Sequence, residues 1–278
     1  MVQGNLDLGS QWREEFYGRN LEVYLRLTHE VLQESRPKVV FWPEAALTFF
    51  LEDEPLFRNA IARVIVPSGA ELVLGGPRRD GASVPIYWNS IFLLSPAGKI
   101  LGVYDKHRLV PFAERFPFHT IELLRRHFAR VREFTPGVSN APLATTGGPA
   151  GVMICNEAMF PEIAGERVRD GAVFFVDPAN DTWLTPKFSA QQFDIVRLRT
   201  VEQRRYLVRA STSGPSAIVD PTGRIVVRTQ FLARTAITGS FYPRTGVTAY
   251  GHVGDLFAGT CLVVGIGTSL LRLRMDRS

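Results

Sequence analysis

Cys155, Glu44 and Lys106 are the residues whose types and settings could do chemistry. Cys155 ends an apolar run, Gly151-Val152-Met153-Ile154-Cys155, just before the polar pair Asn156-Glu157. The end of a strand is where α/β folds place reactive groups. A thiol there becomes a nucleophile if a partner takes its proton or holds the thiolate charge. None of the five histidines (His29, His107, His119, His127, His252) stands in a motif that would supply a Cys–His pair. Glu44 follows another apolar run, Phe41-Trp42-Pro43-Glu44. Pro43 ends the ladder and turns the carboxylate out of the strand. An apolar neighbour such as Trp42 would raise its pKa and make it a usable base near neutrality. Lys106 lies in Tyr104-Asp105-Lys106-His107-Arg108. A cation there would stabilise a tetrahedral oxyanion. Taken singly, each has an ordinary reading as well: a buried structural thiol, a loop carboxylate, a solvated charge run.

These residues need strands to carry them, and the pattern supplies strands alternating with helices. Residues 12–35 have helical period, with Leu21, Tyr24, Leu25, Leu27, Val31 and Leu32 on one face. Short strands are predicted over 38–42, 71–75, 141–145, 151–155, 172–176, 206–211, 217–219 and 225–228. Residues 87–94 and 100–104, around the turn at Pro96-Ala97-Gly98, read as a hairpin. Further helices are predicted over 55–68, 161–170 and 188–204. Such an order indicates a mixed sheet covered by helices. Val2-Gln3-Gly4 reads as the last part of a first strand, so upstream sequence belonging to a longer protein is expected.

Composition excludes several classes. The chain has 278 residues, 45% of them hydrophobic, which is enough for a sizeable core. The net charge of +5 suits an anionic membrane surface but is too mild to indicate nucleic acid. No basic run interleaved with aromatics tracks a phosphate backbone. The basic segment 123–131 reads as a solvated helix face, or as one resting on anionic head groups. Cys155 and Cys261 make no disulfide framework, and no histidine has metal-ligand spacing, so neither a metal nor another cofactor is expected. The nucleophile elbow G-x-S-x-G is absent. No secretory signal opens the chain. Residues 256–271 carry no charge and are followed by Arg272, Arg274 and Arg277. At 16 residues this run is just short of the roughly 17–25 that span a bilayer. It is expected to be a short membrane anchor, the trailing arginines fitting the positive-inside pattern, with a buried helix or strand as the competing reading.

Taken in order, WPEAAL (42–47), YDKHRLVPFAE (104–114) and GVMICNEAMFPE (151–162) resemble the Glu-Lys-Cys motifs of the nitrilase superfamily. The resemblance covers nearly the whole chain. It implies an α-β-β-α sandwich with Glu44 as base, Lys106 as oxyanion stabiliser and Cys155 as nucleophile. VQGN (2–5), HRLVPFAERFPF (107–118), NDTWL (180–184), the stretch 197–226 and AYGHVGD (249–255) look closest to the apolipoprotein N-acyltransferase family. In that family Glu114 matches a further active-site acid, expected to orient Lys106 and tune its charge, and Glu157 matches a supporting acid. Asn156 stands where the family usually has tyrosine, and Ala113 where glycine is common.

This resemblance implies a catalytic domain over 1–248 and a transmembrane-like segment with a basic tail over 249–278. It also implies acyl transfer from a phospholipid, through a Cys155 thioester, to the N-terminal amine of an apolipoprotein, on the periplasmic side of a bacterial inner membrane. The family's upstream membrane helices do not occur in this sequence. Two other readings stay open. One is a soluble amidase or carbamoylase using the same residues. The other is a non-catalytic remnant that binds lipid or a partner.

Overall fold

The computed structural model, which describes residues 1–6, 13–82, 85–117 and 133–275, layers two β-sheets face to face and covers each with helices. The short strands β1 (Val2–Gln3) and β12 (Thr235–Ala236) pair antiparallel apart from both sheets. The first sheet runs β2 (Val39–Phe41), β3 (Glu71–Arg79), β4 (Tyr87–Leu94), β5 (Ile100–Asp105), with only β2 and β3 parallel. The second holds β6 (Leu143–Thr145), β7 (Gly148–Val152), β8 (Phe174–Ala179), β9 (Leu207–Ser211), β10 (Ala217–Val219) and β11 (Ile225–Arg228), ordered β11-β10-β9-β8-β7-β6. Its parallel centre is β7-β8-β9.

Strand period 2 decides the layering. In β3 and β4, Val73, Ile91 and Leu93 face the other sheet, while Leu72, Leu74, Phe92 and Leu94 face helices. In the second sheet Phe174, Val176, Val208 and Ile218 face inward, while Phe175, Leu207, Ala217 and Val219 face out. Strands buried on both faces read as mostly apolar runs, and the polar residues that interrupt these, Asn89 and Ser90 in β4, Asp177 in β8 and Arg209 in β9, all have hydrogen-bond partners. Truncating one such residue, Ile91→Ala for instance, costs about 2–5 kcal/mol, because the dense core cannot close the void.

Among the described residues, four helices cover the sheets. On the first sheet lie α1 (Tyr17–Ser35) and α2 (Pro55–Ile65). Leu21, Tyr24, Leu27, Val31 and Leu32 recur at the three- and four-residue spacing that buries one stripe of α1. A 3₁₀ turn at Glu14–Phe16 leads into it, and Arg36, at φ 45°, closes it in the left-handed region. On the second sheet lie α3 (Pro161–Arg169) and α4 (Pro186–Gln203). Both begin with proline, whose missing N–H costs nothing there. The buried face of α4 is unusually polar, with Ser189, Gln192, Arg199 and Thr200 beside Phe193 and Val196.

α5 (Ala249–Val253) is followed by α6 (Leu256–Met275), on which Leu256, Phe257, Leu262, Val263 and Val264 are exposed. That corrects the reading of this stretch as a buried helix or strand. Among the described residues no helix is long and apolar enough to cross a membrane, so the anchor is not shown. The basic segment 123–131 lies outside the described residues, as does Trp12 at the head of the predicted 12–35 helix, whose α-helical part begins only at Tyr17.

Candidate active site

Three chain turns, each leaving a strand, bring Glu44, Lys106 and Cys155 to one cavity of about 420 Å³. Pro43 cannot continue the β2 ladder, and Ala45 at φ 52° turns the chain sharply. That turn lies directly on β3 because Gly75 has no side chain. A Cβ there would stand 2.5 Å from the Pro43 carbonyl oxygen and 2.8 Å from Glu44 Cα. Lys106 directly follows β5, where its N–H donates to the Asn89 carbonyl oxygen at 2.8 Å. Cys155 is three residues past β7, not in the strand as the apolar run suggested. It opens a 3₁₀ turn, Cys155–Met159, at φ 54°. This conformation is strained for a non-glycine residue and recurs at functional sites.

Lys106 Nζ donates to Glu44 Oε1 at 2.9 Å and to Glu114 Oε1 at 3.0 Å. Asn89 Nδ2 donates to the same two oxygens, at 2.7 and 2.6 Å. The second oxygen of Glu44 accepts from the Asn180 N–H at 3.1 Å, and that of Glu114 from the Val110 N–H at 2.7 Å. Two acids thus share two donors in a ring. Lys106 is 1% exposed and Cys155 2%, so their charges interact with little screening.

Burial pushes the Glu44 carboxyl above its ordinary range, with Lys106 opposing and Glu114 adding to the rise. Burial alone would lower the Lys106 ammonium, but the Glu44 and Glu114 carboxylates outweigh it and hold the charged form. Burial and the Glu44 charge push the Cys155 thiol well up, against the pull of Lys106. Burial and charge thus favour a thiol at Cys155 and a charged Lys106, and make Glu44 a better proton acceptor. Such a set can generate a thiolate on demand and receive an oxyanion.

Glu157 is not part of this ring. It is fully buried behind it and accepts from the Tyr104 hydroxyl and from the N–H groups of His107, Arg108 and Ile154. It ties the Lys106 loop to the Cys155 turn. Arg167 backs the same tie, donating to the Tyr104 hydroxyl and the Val152 carbonyl oxygen. Trp42, offered by the sequence as the apolar neighbour of Glu44, packs instead into the α1 side, stacked on Tyr24 at 5.1 Å. Trp183 lines the cavity and is half exposed.

Sequence reasoning missed Asn89 and the buried charges Asp177, Asp181 and Arg209. The signal was present. Asn89-Ser90 interrupts an apolar strand, and Arg209 stands between Val208 and Ala210. A polar group in a buried strand must have partners built for it. Among the described residues no cluster of His, Cys, Asp and Glu is arranged to hold a metal.

The carbon–nitrogen hydrolase family model matches residues 9–244. The apolipoprotein N-acyltransferase of Geobacter metallireducens is 31% identical over 99% of this chain and 53% of its own length. That of Synechocystis is 29% identical over 95% of this chain and 50% of its own. The chain thus spans about half the length of the curated relatives it matches. A carbon–nitrogen hydrolase structure from Helicobacter pylori superposes with a TM-score of 0.62 at 17% identity, covering 83% of this chain and 84% of that one.

Proposed function

The chain belongs to the carbon–nitrogen hydrolase family, and from that premise we propose that it is the catalytic part of an apolipoprotein N-acyltransferase. The observation that carries the chemistry is the shared cavity of Cys155 and the Glu44–Lys106–Glu114 ring. The acyltransferase branch is supported by relatives of that name that match nearly the whole chain, and by the exposed apolar face of α6. The division into a catalytic domain over 1–248 and a lipid-associated segment over 249–278 follows the same support.

The reaction has two steps. Glu44 takes the Cys155 proton, and the thiolate attacks an ester carbonyl carbon of a phospholipid. Lys106 and nearby backbone N–H groups hold the oxyanion. Collapse expels a lysophospholipid alkoxide, which takes the proton from Glu44 and leaves an acyl thioester on Cys155. The free α-amine of a lipid-modified N-terminal cysteine then attacks the thioester. Glu44 takes the amine proton, the amide forms and the Cys155 thiolate leaves, regaining its proton. Glu114 keeps Lys106 charged and in place, while Glu157 fixes the Lys106 loop against the nucleophile turn. Water must be excluded while the thioester waits. The membrane supplies the donor, and the acceptor places the site on the periplasmic face of the inner membrane.

The test is the intact mass of the chain after incubation with phosphatidylethanolamine in detergent, beside Cys155→Ser. A thiol-labile acyl adduct that needs Cys155 supports the reading. No adduct, with ammonia released from small amides, replaces it with the amidase. Neither product leaves the chain without activity of its own.

A further inference from the structure

Behind Cys155 lies a second buried charge cluster that the chemistry above does not use. Arg209, wholly buried in the middle of β9, pairs with Asp177 on β8 and with Asp181 just beyond it. Arg209 Nη2 also donates to Gln192 Oε1 on α4, at 3.0 Å. That contact settles which way the Gln192 amide faces. Guanidinium groups only donate, so the amide oxygen is the end turned to Arg209. The amide nitrogen is then the end turned to sulfur. Nε2 stands 3.9 Å from Cys155 Sγ and 3.8 Å from Met159 Sδ. A donor held beside sulfur gains most when that sulfur is charged.

We infer that Gln192 is a further catalytic residue, donating an N–H to the Cys155 thiolate, and that Arg209 is the positioning residue that fixes which end of the amide meets the sulfur. The inference rests on Cys155 being the nucleophile, not on which acyl donor it takes.

A neutral donor suits this place. The charges that face Cys155 come from every side: Glu44 after β2, Lys106 after β5, Asp181 after β8 and Arg209 on β9. Each cation there is shared between two carboxylates, Lys106 by Glu44 and Glu114, Arg209 by Asp177 and Asp181. With all ionised, both clusters carry one excess negative charge, which works against a thiolate. An amide N–H holds the sulfur charge without unbalancing either cluster.

The test is the pH dependence of iodoacetamide labelling of Cys155 in the full chain, read by peptide mass. Cys261, exposed on α6, is the control in the same digest. Gln192→Met keeps the length and flexibility and loses the N–H. Its Cys155 midpoint is expected to rise by roughly one pH unit, about tenfold slower labelling below the midpoint. Cys261 labelling stays unchanged. Gln192→His restores a ring N–H and is expected to bring the midpoint back. A parental midpoint in folded Gln192→Met overturns the inference. So does a midpoint that rises in Gln192→Met and stays raised in Gln192→His, which would mark simple packing. If Gln192→Met does not fold, Gln192→Glu, which still accepts from Arg209, must shift the midpoint upward; a parental midpoint there also overturns it. Labelling needs no acyl donor, so its result stands whether or not phosphatidylethanolamine acylates the protein.

Discussion

Two clusters of the same charge composition flank Cys155, and they differ in what they face. Glu44 and Glu114 surround Lys106, while Asp177 and Asp181 surround Arg209. The first opens on the cavity. Lys106 gives two of its three ammonium donors to the carboxylates, which leaves one for a substrate oxygen. The second cluster is sealed. Arg209 spends both Nη groups on the aspartates and Gln192, and the Ser189 and Ser211 hydroxyls close over Asp181. Equal charge arithmetic thus yields a reactive group where a free donor faces open space, and a scaffold where the remaining N–H, at Arg209 Nε, is sealed inside the protein.

The comparison breaks most visibly if both cations are removed in turn. Arg209→Met leaves two sealed carboxylates unpaired, and the unfolding free energy in urea is expected to fall by about 3–5 kcal/mol. Lys106→Met leaves its carboxylates facing a cavity that can admit water or a proton. Its main loss is expected in acyl-enzyme formation, by about 10²–10³-fold in initial rate. If Arg209→Met kept parental stability, or Lys106→Met kept parental rate, the two clusters would not divide the labour in this way.

Acid sharpens the same contrast. Burial raises Asp177 to about 6 from 3.8, against the pull of Arg209. The folded state therefore binds this proton more tightly than the unfolded chain does. Stability from Asp177 is highest at low pH and is lost as pH rises from about 4 to about 6, by roughly 3 kcal/mol. Asp177→Asn removes that slope. Melting temperatures across this window are expected to move in the variant's favour as pH rises, and parallel profiles would show that Asp177 does not titrate there.

On the open side, Glu114→Gln keeps an oxygen for the Val110 N–H but loses the charge that helps hold Lys106 ionised. Acyl-enzyme formation is expected to slow roughly 10–100-fold. Urea stability should change much less than in Arg209→Met.

The two sides were not equally legible in the sequence. β4 and β10 have the predicted bounds, Tyr87–Leu94 and Ala217–Val219, because their apolar runs end at clear turns. β8 runs on to Ala179 because the β9 ladder carries Asp177 and Pro178, residues that argue against a strand in isolation. Glu44, Lys106 and Cys155 were nameable because each follows a strand within a recognisable motif, and Glu114 because it closes the same motif as Lys106. Asn89, Gln192 and Arg209 matter only through partners between 17 and 45 residues away, at the spacing of their hydrogen bonds. No local pattern encodes such partners. The exposed face of α6 was illegible for another reason, since an apolar run reads the same whether protein or lipid covers it.

The smallest expected effect separates scaffold from chemistry most cleanly. Ser211 Oγ donates to Asp181 Oδ2 at 2.8 Å and touches nothing in the ring around Lys106. Ser211→Ala removes that charge-assisted hydrogen bond and the one Ser211 Oγ accepts from the Gly214 N–H, while Arg209 still holds the aspartate. Stability in urea is expected to fall by about 1–2 kcal/mol. The acyl-enzyme rate and the Cys155 labelling midpoint should both remain parental, because the Gln192 amide keeps its Arg209 anchor. A changed midpoint in Ser211→Ala would mean that a shift of Asp181 within the sealed cluster reaches the sulfur, and that its separation from the open one is a matter of degree.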